Sequence, residues 1–179
     1  MSVLKVAELK CKEETDEIGS DDIYFVLGIG RRSTPTKKGD VKVIGSQAWE
    51  NLSTDSFKGQ DVTLDSAFNP QDFYTITMVE RDNGKDITGA DLNNVRNTFA
   101  TLWQTWGVNV QGLTDSQIFD HIRQPMNSVI GGAGNDDLVG STKLLPKPSA
   151  GNPTKLEFIG DGGDYKVTFK LVLMCPYSV

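Results

Sequence analysis

The chain has 179 residues, 37% of them hydrophobic and 23% charged, with a formal net charge of −6 at pH 7. That is enough for one domain with a sizeable core, and the acidity argues against non-specific binding to nucleic acid. No apolar run reaches the roughly 18 residues of a membrane-spanning helix, and MSVLKVAELK lacks the apolar segment and cleavage site of a secretory signal, so a soluble protein is expected, cytoplasmic or released by a route without a signal.

Residues 3–11 (VLKVAELKC) alternate as a strand does. The acidic loop EETDEIGSDD follows, then IYFVLGIG (23–30), rich in β-branched and aromatic residues and read as a buried strand. A basic, turn-rich stretch, RRSTPTKKGD (31–40), leads to strands at 41–44, 61–64 (DVTL) and 73–79 (FYTITMV). The period then changes. Leu92, Val95, Phe99, Leu102, Trp103 and Trp106 recur at spacings of three and four, which predicts an amphipathic helix from Thr88 to Trp106, ended by Gly107. A second helix begins at Thr114, where T-D-S-Q makes a capping box through Gln117. It carries Ile118, Phe119 and Ile122, and Pro125 is expected to bend or end it. Strands return at 139–145, 155–160 and 164–174, the last two joined by a hairpin turn at Asp161-Gly162-Gly163.

The expected fold is therefore mainly β: a single domain over 1–179, an antiparallel β-sandwich with an α-helical hairpin inserted near residues 88–130. No repeat of 20 to 50 residues suggests a solenoid.

Few motifs point to catalysis. His121 is the only histidine, with no nucleophile motif beside it. Gly28-x-Gly30 runs straight into Arg31-Arg32 without a third glycine or a following helix, so no nucleotide loop is expected. The chain is read as a non-enzyme, with no small-molecule substrate indicated. Cys11 and Cys175 lie in strand-like segments near opposite ends; they pair if those strands are neighbours, and two free thiols are the plainer reading. Trp103 and Trp106 are expected to pack on the sandwich rather than anchor in a membrane. Arg31, Arg32, Lys37 and Lys38 form a basic patch, either a contact for an anionic partner or, the favoured reading, a solvated loop that keeps a sheet edge soluble.

The carboxylates collect in three loops. One holds Glu13, Glu14, Asp16, Glu17, Asp21 and Asp22, one holds Glu80 and Asp82 with Asp86 close by, and one holds Asp136 and Asp137. Should these loops meet, they form a cup of oxygens such as Ca2+ requires, six to eight of them. The third loop lies in GGAGNDDLV (131–139), a single copy of the calcium-binding nonapeptide G-G-x-G-x-D-x-(apolar)-x.

Asp16-x-x-Gly19-x-x-Asp22-x-Tyr24, set between two strands, resembles the first calcium loop of C2 domains, the calcium-dependent phospholipid-binding β-sandwiches. Glu80-x-Asp82 is similar to that family's D-x-D, and Asp137-Leu138-Val139-Gly140 to the segment that closes its third loop. Ile23 stands where the family has proline, Glu80 where it has aspartate, and 55 positions separate Asp82 from Asp137 where the family has a short loop. The resemblance implies Ca2+ ligands at Asp16, Asp22, Glu80, Asp82 and Asp137, with Asp21 and Asp136 as substitutes. It implies a partner that is a membrane surface or another protein. The alternative is a metal-free interaction protein, structural protein or toxin component that uses the helical hairpin as its contact surface.

Overall fold

A computed structural model describes residues 2–15, 21–45, 49–59, 61–81, 87–133 and 137–174. Two antiparallel sheets pack face to face. The outer sheet runs β4 (Phe57–Lys58), β1 (Ser2–Glu13), β10 (Gly163–Leu173), β9 (Thr154–Gly160), with β5 (Val62–Asp65) also paired to β1. The middle sheet runs β3 (Gly39–Gly45), β2 (Ile23–Gly30), β6 (Phe73–Glu80), β7 (Asp137–Leu138), with β8 (Lys143–Leu144) also paired to β6. The expected β-sandwich with a helical insertion is thus the observed architecture.

The insertion adds a third layer. Helix α1 (Gly89–Leu102) passes into a π-helical turn, Trp103–Asn109, and α2 (Asp115–Gly131) returns antiparallel to it. Ile23, Phe25, Leu27 and Ile29 face the outer sheet, in a core with Leu4, Val6, Leu9, Phe158, Val167 and Phe169. Tyr24, Val26, Phe73 and Val79 face the opposite way, against Val95, Phe99, Trp103, Ile118, Ile122 and Met126 of the hairpin. Being covered on both faces, β2 and β6 are buried at every position, whereas β9 of the outer sheet alternates. This is why 23–30 reads as a continuous apolar run.

The glycines of β2 have a packing reason. A Cβ at Gly28 would overlap the Phe99 ring, and one at Gly30 would overlap the Trp103 indole. Gly28-x-Gly30 is a seat for two helix aromatics. Gly107 does not end the first helix as expected. It lies inside the π-helical turn, against the same indole, where any side chain would collide. Pro125 does not end α2 either: the helix runs on to Gly131, held on both sides of the proline by buried Ile122, Met126 and Ile130. The capping box at Thr114 forms as read, Gln117 N–H donating to Thr114 Oγ1 and Thr114 N–H to Gln117 Oε1.

Of the strand expected at 139–145, only Lys143–Leu144 (β8) forms, and β7 lies just before it at Asp137–Leu138. Gly140 at φ +80 lies between the two, and a Cβ there would lie 2.7 Å from the Ile159 carbonyl, so the backbones of the two sheets touch at this corner. The turn between β9 and β10 forms as expected, with Asp161 (φ 51) and Gly162 (φ 74) both left-handed. Among the described residues no helix is long and apolar enough to cross a membrane.

Candidate functional site

Of the acidic residues singled out in the sequence, Asp22, Glu80 and Asp137 lie at one end of the middle sheet. The middle sheet ends there in a row in which Ile23 is in register with Glu80, and Glu80 with Asp137. Asp22 is one residue beyond, its carbonyl accepting from Arg81 N–H at 2.8 Å and its Oδ1 from Asn51 N–H at 2.8 Å. Asp22, Glu80 and Asp137 thus come from three separate segments of the chain to the same sheet end. Glu80 is buried and Asp137 exposed. Glu80 and Asp137 share a face of the antiparallel pair, where like charges directly opposite are unfavourable.

Asp21 has a different place. It is buried, pairs backbone with Leu52, and its carboxylate accepts from Thr15 N–H (3.0 Å), Thr15 Oγ1 (2.9 Å) and the Tyr165 hydroxyl. Three internal donors hold it as an anchor between the first acidic loop and β10. Cys11, a buried free thiol in register with Tyr165, senses the same end. Burial first, then the carboxylates of Asp21, Glu14, Asp164 and Asp55, push its pKa up to about 12. Asp55 and Asp164 therefore belong to the acidic end although the sequence reading passed over them. Nothing local marks them: one lies in a turn, the other beside a hairpin, and only strand pairing brings them in.

Asp16, Asp82 and Asp136 lie outside the described residues, as does Cys175. Among the described residues no group of three or more His, Cys, Asp or Glu side chains is arranged to hold a metal ion.

The basic patch lies at the opposite end, in the turn between β2 and β3. Arg31 points inward. Its guanidinium meets Asp65 (3.0 Å) and Asp72 (3.1 Å), both carboxylates buried, and the Tyr74 hydroxyl (3.3 Å), while Lys42 also reaches Asp65 at 2.9 Å. Burial alone would raise the Asp65 pKa, but hydrogen bonds from Arg31 and Lys42 outweigh it and hold the carboxyl below its usual value. Asp72 also accepts from Arg32 N–H and Ser33 N–H, which shapes the turn. Arg32 reaches Asp115 at the start of α2 (2.6 Å), and Lys147 takes the other Asp115 oxygen at 2.8 Å. Lys37 and Lys38 are exposed. Asp65, Asp72 and Asp115 are the partners the sequence reading missed, since each comes from a distant segment.

No protein-family model matches the chain, and no curated protein matches it significantly.

Proposed function

We propose that the chain is a calcium-dependent binding module. Its acidic end takes Ca2+ and, through the metal, an anionic group on a lipid or protein partner. One observation carries this reading: the register that sets Glu80 directly across from Asp137, with Asp22 at the next position of the same sheet end. Carboxylates gathered at one sheet end supply the kind of oxygen ligands that a divalent cation takes. Asp16 and Asp82 would complete the set, as the likeness of the loop motifs to those of C2 domains implies. Asp21, engaged by Thr15 and Tyr165, would act as a strut beneath the site rather than as a ligand.

The hairpin's position favours this end over the hairpin itself as the contact surface. Its apolar residues already face the middle sheet, and Trp103 is buried. The hairpin lies between β6 and β7 in the chain and packs on the face of the middle sheet.

The test is thermal melting in EDTA against a calcium series, with magnesium as control. At free calcium about 100 times Kd, one site stabilises by roughly 2.7 kcal/mol, on the order of 5 to 10 °C for a domain of this size. Asp22→Asn and Asp137→Asn should each abolish the rise. A flat response up to millimolar calcium would overturn the reading.

A further inference from the structure

At the end away from Asp22, Glu80 and Asp137, the turn between β2 and β3 meets the tip of the helical hairpin around a cavity of about 210 Å³. Arg32, Lys37, Gly107, Val108, Gln111 and Leu113 are among its lining residues, and no carboxylate lines it. Three features make it unlike an ordinary surface dent.

The first is charge. Asp115 is shared between Arg32 and Lys147, so two cations have one carboxylate between them. Lys37 adds a third positive charge, with no carboxylate within ion-pair distance among the described residues. A chain of net charge −6 thus keeps a local positive excess here. The second is donor supply. Arg32 Nη1 bonds Asp115 (2.6 Å) and the Gln71 carbonyl (3.3 Å), and its Nη2 and Nε have no hydrogen bond among the described residues. The guanidinium is held in place, its carbon 5.4 Å from the centre of the Trp103 ring.

The third is backbone conformation. Lys37 sits at φ 45, a region non-glycine residues rarely adopt. Two bonds hold it there: its N–H donates to Thr34 O at 3.1 Å, and its carbonyl accepts from Trp103 Nε1 at 2.8 Å. On the other wall, Gly107 and Val108 belong to the π-helical turn. Unusual φ values and π-turns gather at ligand sites, and here both line one cavity.

We propose that this cavity is an oxyanion site that takes a phosphoryl group, with the Arg32 fork and the Lys37 ammonium as its charged donors. Arginine's planar fork matches phosphate oxygens, and lysine supplies a point charge. The volume is below the 300 to 1,000 Å³ or so of sites for drug-sized ligands, which suits a phosphoryl group with a small substituent. The group could come from a soluble phosphorylated compound or from a lipid headgroup. The site is separate from the acidic end. The eight residues of β2 span roughly 25 Å between them, at about 3.4 Å per residue.

The experiment is calorimetric titration of the full chain with pyrophosphate at low salt in EDTA, beside flotation with phosphatidylcholine vesicles with and without phosphatidic acid. Lys37→Asn is the deciding variant, because asparagine tolerates the left-handed region and the fold is kept while the charge is lost. The expected result is saturable binding, weakened at least tenfold, on the order of 1.4 kcal/mol, by Lys37→Asn and unchanged by Asp137→Asn. Binding to pyrophosphate alone assigns a soluble source, and phosphatidic-acid-dependent flotation lost in Lys37→Asn assigns a headgroup. Equal binding by parent and Lys37→Asn, or no response to either probe at millimolar phosphate, would overturn the proposal. Because calcium is absent throughout, failure here leaves the calcium reading standing, and the reverse also holds.

Discussion

Arg31 is the residue on which the basic end depends. It ion-pairs with two buried carboxylates, Asp65 and Asp72; Lys42 shares Asp65, whereas among the described residues no second cationic side chain pairs with Asp72. Arg31→Met is therefore expected to destabilise by about 3 to 5 kcal/mol, the cost of leaving buried charges uncompensated, read as a lowered urea midpoint. The pH dependence has a definite sign. Hydrogen bonds from Arg31 and Lys42 overcome the opposing effect of burial and depress the Asp65 pKa, and those from Lys147 and Arg32 do the same for Asp115. The stabilisation from both is complete above the unfolded carboxylate value, about 3.9, and is lost as pH falls through the lower folded values. A melting series should be level near neutrality and drop below about pH 4, and Arg31→Met should flatten that drop. Gly30 makes a second point at this scale. An added methyl group meets the Trp103 ring, so Gly30→Ala should cost about 1 to 3 kcal/mol through overpacking.

Among the elements, the helical hairpin was the most legible and its placement the least. Val95, Phe99, Trp103, Ile118 and Ile122 at helical spacing announce a buried stripe, and each is buried. What the stripe packs against follows from β2 and β6, whose unbroken apolar runs need cover on both faces. Phe99→Ala should cost about 3 to 5 kcal/mol and loosen the hairpin from the sheet, seen as faster amide exchange in α1 and α2 than in β1 and β10. Element ends were read less well. Gly107 and Pro125 look like stops, yet one sits in a π-turn shaped around an indole and the other is carried through by burial on either side. Packing outweighs propensity at both positions. The shortening of the strand expected at 139–145 is also a matter of packing, since Gly140 takes a left-handed conformation with the Ile159 carbonyl where a side chain would sit.

For the whole molecule, the shared packing of the hairpin and the middle sheet predicts that they unfold together. Replacing residues 88–133 by a short linker would expose Tyr24, Val26, Phe73 and Val79 together, and that protein is expected to aggregate rather than fold as a two-layer sandwich. Asp22, Glu80 and Asp137 lie at one end of the middle sheet, whereas at the other end Arg32 and Lys147 share Asp115 and Lys37 stands exposed.

The residue order alone decided the mainly β class, the position of the inserted hairpin, the cap at Thr114 and the turn at Asp161-Gly162. Each depends on periodicity or on a few adjacent residues, so the physics is local. Tertiary structure alone decided that Glu80 lies across from Asp137, that Asp21 is tied to Tyr165, and that Arg31 turns inward to Asp65 and Asp72. Those pairings join segments from 34 to 144 positions apart. Charge and composition show that such groups exist, but register, sheet order and burial choose which of them meet.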